Sequence, residues 1–373
     1  MPFQLLNLRS RARTLTRLAS LACFVGACSS GPAPSTAGGI ASQPPAAPSG
    51  TAAATSRLLE SYPPLPTPTP LPPAAGAGDL SSIKATRILL SYPHELSAVG
   101  QTVWAQTGGR LARFDVATNR GELVDPEANG DEIDNLLATS TAIWLADFDG
   151  SQVVRLDPTT GAQVAKIAVG AAEDVLDVGG TIWVTNHHEG SVTRIDAKTN
   201  AVIGSTEVGQ VGVDGPQRMA FGDGSVWVDE SNDSSIIRLD PTSGAVIAKI
   251  ALTHLAACGG ILATEAAVWT TGCHESTVIG RIDPATNTDV AGIRLDAYGQ
   301  EVSEVDGAIW VPVGGPLPAG EIERIDPATT TVTTKLSING LSDVTGSIVA
   351  ANALWISNGI NSVFEVPLSE LTP

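Results

Sequence analysis

The chain has 373 residues, a formal net charge of −18 and 43% hydrophobic residues. From residue 81 onward it carries 37 acidic and 16 basic residues, a formal charge of −21. That balance excludes a basic footprint for nucleic acid and disfavours direct adhesion of this part to anionic lipid.

Arg9, Arg11, Arg13 and Arg17 precede a short apolar run from Leu18 to Ala27. About ten apolar residues are too few to cross a hydrocarbon core of roughly 30 Å as a helix, so residues 1–27 read as an export signal. The run ends in Val25-Gly26-Ala27-Cys28, which resembles the lipobox of bacterial lipoproteins. The resemblance implies cleavage before Cys28 and attachment of diacylglycerol to its sulfur. The protein is then expected on the outer side of the cell membrane, or in the outer membrane of a diderm, with the lipid as its one membrane contact. Residues 28–80 follow, rich in Ala, Pro, Ser, Thr and Gly and including Pro-Leu-Pro-Thr-Pro-Thr-Pro-Leu-Pro-Pro. Such a composition cannot bury a core and favours extended polyproline II, so a tether is expected here.

Residues 81–373 are organised by tryptophan. The seven occur at Trp104, Trp144, Trp183, Trp227, Trp269, Trp310 and Trp355, at intervals of 39–45 residues. That period matches one four-stranded propeller blade, and seven returns predict an all-β, seven-bladed β-propeller. The third repeat shows the strands most clearly: Asp174–Val178, Thr181–Asn186 with Trp183, Ser191–Asp196 and Ala201–Val208. Alternating apolar residues mark the two middle strands as half-buried. One aromatic at a fixed point of each second strand is expected to fill the wedge between neighbouring sheets.

Arg-x-Asp closes the third strand six times: Arg113/Asp115, Arg155/Asp157, Arg194/Asp196, Arg238/Asp240, Arg281/Asp283 and Arg324/Asp326. Four of these Asp precede proline. The Asp can accept a backbone N–H two residues on while Pro presets the turn. The sixfold repetition marks turn and inter-blade structure. The seventh repeat lacks a fourth strand, but Thr86-Arg87-Ile88-Leu89-Leu90-Ser91 mimics fourth strands such as Ala248-Lys249-Ile250-Ala251-Leu252. The N-terminal segment is therefore expected to complete the last blade and remove free sheet edges. Cys258 and Cys273 flank the hairpin turn at Thr264–Ala266 symmetrically and are expected to form a disulfide in an exported protein.

The run Ile182-Trp183-Val184-Thr185-Asn186 … Val192-Thr193-Arg194-Ile195-Asp196 … Thr199-Asn200-Ala201-Val202-Ile203 resembles the bacterial YVTN-type propeller repeat. The wider group includes streptogramin lyase-like propellers. The resemblance covers about residues 81–373 and implies exported binding or scaffold proteins. Streptogramin lyase-like members also imply metal-dependent chemistry with His and Glu on one face. This chain lacks the aromatic-Thr-Glu ending of that group's second strands, so no catalytic set carries over.

Chemistry is expected on the face shared by the loops between second and third strands and the loops between blades. All five histidines fall there: His94, His187, His188, His254 and His274. Candidate catalytic groups are His187, His188, Glu189, His274 and Glu275, an imidazole beside a carboxylate being able to act as a base. His188 is expected to be exposed. Glu95, Asp174 and Glu301 each stand nine residues before their Trp and are expected to ring the channel mouth. Such oxygen ligands suit Ca²⁺ or Mg²⁺, and equally a small cationic ligand or a basic patch on an envelope protein. They also suit a merely solvated acidic surface. No Gly-x-Ser-x-Gly elbow, P-loop or HExxH is present, which leaves no serine-hydrolase, nucleotide or zincin signature. The reading is a monomeric, non-enzymatic binding module, with a metal-dependent lyase or hydrolase as its rival and a structural envelope protein as a third possibility.

Overall fold

A computed structural model describes residues 81–124, 133–273, 276–314 and 320–371. The expected signal, the lipobox Cys28 and the tether lie outside the described residues, as do His274 and Glu275. The described chain builds seven sheets in sequence order, antiparallel apart from one two-residue edge pairing, with a single three-residue 3-10 turn at Leu368–Glu370 and no α-helix. It is a seven-bladed β-propeller of four-stranded blades. Among the described residues no helix is long and apolar enough to cross a membrane.

Blade three has its strands at Ala172–Val178, Thr181–Asn186, Ser191–Asp196 and Ala201–Glu207, within two residues of the sequence expectation at every boundary. In blades three, four, six and seven the hairpins that join first and second strands have positive φ at both turn residues: Gly179 and Gly180, Asp223 and Gly224, Asp306 and Gly307, Ala351 and Asn352. That is the turn whose twist matches paired strands. At the other end, the turn Asp behaves as expected. Asp157 Oδ1 accepts from the N–H groups of Thr159 (3.0 Å) and Thr160 (2.8 Å), and Asp240 Oδ1 from those of Thr242 (3.1 Å) and Ser243 (2.7 Å).

The core is divided into seven apolar clusters, one at each blade junction. Trp183 of blade three packs with Met219, Val228 and Ile237 of blade four, and Trp355 of blade seven with Leu96, Val103 and Ala112 of blade one. Every Trp is at most 2% exposed. The arginines opposite them in register complete the junctions. Arg155 lies 5.0 Å from the Trp144 ring and Arg238 lies 4.7 Å from the Trp227 ring, a cation–π contact. Each then reaches forward to the turn of the next blade, Arg155 to Ala197 O (2.9 Å) and Arg238 to Pro284 O (2.6 Å). The tryptophans are structural wedges, and the Arg-x-Asp units are turn and inter-blade structure.

Closure follows the expected route. Thr86–Leu89 pairs antiparallel with Ser362–Pro367, so blade seven combines three C-terminal strands with one from the N-terminal side. One addition was not anticipated: Ser81–Ser82 pairs parallel with Thr331–Ile338, on the outer edge of blade six. Blade six also has a broken innermost strand, Tyr298–Gly299 and Ser303–Val305, both paired with Ala308–Gly314. Glu301 sits in the break.

Candidate functional site

The innermost strands place one residue each, nine before the blade's Trp, around the mouth of the channel. In blade order these are Glu95, Asn135, Asp174, Arg218, Gly260, Glu301 and Gly346. The three carboxylates expected to converge do so, but around a cation of the chain itself. Arg218 of blade four extends across the mouth, and its Nη2 donates to Glu95 Oε1 of blade one at 2.5 Å. The guanidinium is held well above its ordinary pKa by Glu95, Glu301 and Asp174, against the opposing effect of burial.

Two buried aspartates fix that arginine's backbone. Asp229 Oδ1 accepts from the N–H groups of Gln217 (3.0 Å) and Arg218 (2.6 Å). Asp174 accepts from Met219 N–H (2.7 Å) across the junction and from Val175 N–H (2.8 Å). Burial pushes Asp174 and Asp229 each up to about 7, with Arg218 and the backbone N–H groups pulling the other way. Burial likewise pushes Glu301 up to about 8, opposed by Arg218 and reinforced by Glu95 and Asp174. The charge that a Ca²⁺ or Mg²⁺ would supply at Glu95, Asp174 and Glu301 is already supplied by Arg218. Among the described residues, the one group of three side chains with metal-ligand spacing is Asp296, Glu321 and Glu323, and there the Lys335 ammonium binds Asp296.

Among the described residues the histidines do not converge on one point. His254 Nδ1 lies 2.8 Å from Asp289 on the outermost strand of blade five, and His94 is exposed. His187 and His188 pack with Phe148 of blade two, the His188 ring edge-on at 5.0 Å. The expectation of an exposed loop is corrected here: His187 is 7% exposed and His188 is half-buried. The loop cannot project because it is tied to the blade connection beside it, through Gly212 N–H to His188 O (2.7 Å) and the close approach of Gly215 to His187 O. Glu189 has a structural part as well, accepting Ala171 N–H at 2.9 Å.

His187 Nε2 lies 3.5 Å from Asp214, whose side chain is 84% exposed. His187 Nδ1 is buried and unpaired. A catalytic imidazole is ordinarily oriented by an acceptor on one nitrogen while the other faces substrate; here the Asp214 carboxylate stands at Nε2, and the other nitrogen, Nδ1, is buried and faces no open site. Beside Asp214, a depression of about 500 Å³ opens on the loop face, lined by Val213, Asp214, Gln217, Ser231, Asn232 and the cysteine pair. Cys258 and Cys273 form the disulfide that spans its blade-five wall, with Cα atoms 4.7 Å apart. Sequence reasoning missed this depression. Gln217, Ser231 and Asn232 are ordinary polar residues in sequence, and only the fold brings the ends of blades four and five together with the connection before blade four.

No protein-family model and no curated protein matches the sequence. Solved structures do match in shape. The selenomethionine-substituted virginiamycin B lyase from Staphylococcus aureus superposes with a TM-score of 0.65 at 16% identity, covering 76% of this chain and 98% of that one. A streptogramin B lyase gives 0.63 at 16% identity, covering 75% and 97%. The Pan2 WD40 domain of Neurospora crassa gives 0.57 at 12% identity, covering 74% and 90%. At these identities the likeness is one of fold: the chain is a seven-bladed propeller with streptogramin B lyase-like structural neighbours.

Proposed function

We propose that this chain is an exported, lipid-anchored propeller that acts as a non-enzymatic binding module on its loop face. It takes a small cationic ligand or a basic segment of an envelope protein. The observation that carries this reading is the depression of about 500 Å³ beside Asp214. Asp214 supplies an open carboxylate, and Gln217, Ser231 and Asn232 supply neutral donors and acceptors. The neighbouring mouth carboxylates are engaged by Arg218 and the backbone, so recognition falls to this exposed group. Calorimetric titration with spermidine and with a lysine-rich peptide tests it. At least one should bind, and Asp214→Asn should weaken it severalfold. Binding unchanged by that substitution, or none by either probe, would sink the reading. Anchoring through Cys28 is checked by labelling with radioactive palmitate, which Cys28→Ser should abolish.

The closeness of His187 to Asp214, on a fold shared with streptogramin B lyases, favours a second reading as a lyase. Incubation with quinupristin, found with a catalytically inactive virginiamycin B lyase of this fold, separates the two: the binding module leaves it intact, and its breakdown would establish the lyase.

A further inference from the structure

The junction between blade seven and blade one differs from the others. In six blades the residue opposite the wedge Trp in register is an arginine: Arg113, Arg155, Arg194, Arg238, Arg281 and Arg324. In blade seven the residue opposite Trp355 is Glu365. At four junctions the arginine donates to a carbonyl in the next blade's turn: Arg113 to Pro158 O (3.2 Å), Arg155 to Ala197 O (2.9 Å), Arg194 to Thr242 O (2.9 Å) and Arg238 to Pro284 O (2.6 Å). At two of them an asparagine in left-handed conformation adds a second acceptor. Asn200 Oδ1 accepts from Arg155 at 2.8 Å and Asn287 Oδ1 from Arg238 at 3.1 Å.

The turn that faces Glu365 is Asp115 to Asn119 of blade one. Asn119 has φ of 52°, against 60° for Asn200 and 53° for Asn287, so the same backbone presents the same acceptor. The carbonyl corresponding to Ala197 and Pro284 is that of Val116. Where the guanidinium would lie, a groove of about 610 Å³ runs between the two blades. Its floor includes Trp355 and Phe114, whose rings stack at 6.5 Å, and Leu89 (76% exposed) and Leu123 (48% exposed) stand on its rim. Of the other charged groups lining it, Glu122 binds Arg113, Asp115 holds Thr118 N–H at 3.1 Å, and Arg120 is exposed.

We propose that this groove is an arginine-acceptor site, occupied by an arginine side chain of a partner polypeptide whose neighbouring residues are apolar. The incoming guanidinium pairs with Glu365 beside the Phe114–Trp355 stack and donates to Val116 O and Asn119 Oδ1. It thereby completes from outside the contact that four other junctions make from within. Glu365 gives the site a charge opposite to the missing arginine, which selects a guanidinium over a neutral group. The groove is much larger than a guanidinium, and its leucine rim gives apolar flanking residues a place to bury. This site is distinct from the Asp214 depression and does not depend on it.

Calorimetric titration of the full chain with the peptide acetyl-Leu-Arg-Leu-Leu-amide tests the proposal. The arginine peptide should bind at least tenfold more tightly than its citrulline analogue, which keeps the shape and loses the charge. It should also bind at least tenfold more tightly than acetyl-arginine amide, which lacks the apolar residues. Glu365→Gln should weaken the peptide at least tenfold with Tm unchanged. Glu365→Arg should fill the site from within, raising Tm and abolishing peptide binding. Absence of binding, equal affinity for citrulline, or retained binding in Glu365→Arg would overturn the site. Equal affinity for acetyl-arginine amide would overturn the polypeptide occupant.

Discussion

Arg218→Met tests whether the channel mouth is held by an internal counter-ion. Arg218 joins blade four to blade one through Glu95, and its side chain is 22% exposed against 13% for Glu95. Removing one partner of a buried pair costs about 3–5 kcal/mol because the other charge is left unpaired. The fifth of the arginine open to water places the loss near the lower end, about 3 kcal/mol. For large domains 1 kcal/mol moves Tm by about 2–4 °C, so the variant should melt about 6–12 °C lower at pH 7.5. The loss should shrink at pH 5. Asp174, Asp229 and Glu301 have raised pKa values, so at pH 5 these three are protonated and fewer charges are left uncompensated around the missing arginine. Scanning calorimetry at the two pH values measures both quantities. A drop of equal size at pH 5 and pH 7.5 would show that the arginine acts by packing and not by charge, and a drop below about 2 °C at pH 7.5 would refute the counter-ion altogether.

The unsubstituted protein should itself be less stable at pH 8 than at pH 5. Asp174 and Asp229 rise to about 7 on folding, so the folded state holds protons that the unfolded state has released. That stability is fully present below about pH 4 and is lost as pH rises through about 7, at up to roughly 1.4 kcal/mol per pH unit for each group. Urea midpoints that climb steadily from pH 5 to pH 8 would contradict it. The turn aspartates Asp157, Asp196, Asp240, Asp283 and Asp326 have lowered pKa values and act in the opposite sense, losing their contribution as pH falls below about 4. Trp183→Ala, which empties a fully buried wedge between blades three and four, should cost about 3–5 kcal/mol by urea unfolding; less than 1 kcal/mol would deny the wedge role. Reducing Cys258–Cys273, which closes a loop of 15 residues, should lower stability by about 3 kcal/mol, checked by calorimetry with and without dithiothreitol.

The blades were legible because their signals lie at fixed distances along the chain. The first hairpin of each repeat has a nearly constant length, so nine residues before each Trp is always the channel position. Arg218 was readable by that same rule. Three carboxylates in that row suggest a site for a foreign cation, yet one residue of opposite sign changes what those carboxylates do. Glu365 was harder to see. The loop between second and third strands varies in length, so the residue opposite the Trp falls nine positions later in Arg113 but fourteen later in Arg324. Only strand register shows that Glu365 stands in the arginine row. The parallel pairing of Ser81–Ser82 left no pattern at all, since two serines carry neither alternation nor apolar character. His187 misled because loop residues are mostly exposed, whereas here a glycine-mediated approach of the neighbouring connection folds the loop down onto Phe148.

The strand that closes the ring is also the strand nearest the N terminus. A pull applied from that end reaches the two-residue pairing at Ser81–Ser82 first, and then the four residues Thr86–Leu89 that latch blade seven. Beyond those strands, the first part of the sheet array is joined to the last by the bonds of Leu90 N–H to Asn361 O and Tyr92 N–H to Ile360 O, by those of Thr345 Oγ1 to Pro93 O and Ser357 Oγ to His94 O, and by side-chain packing across the junction. The propeller therefore fails under load as a clasp fails: the latch peels, blade seven parts from blade one, and the remaining six blades keep their hairpins. For a protein held by its N-terminal end, tension would be felt at the closure before it is felt at the loop face.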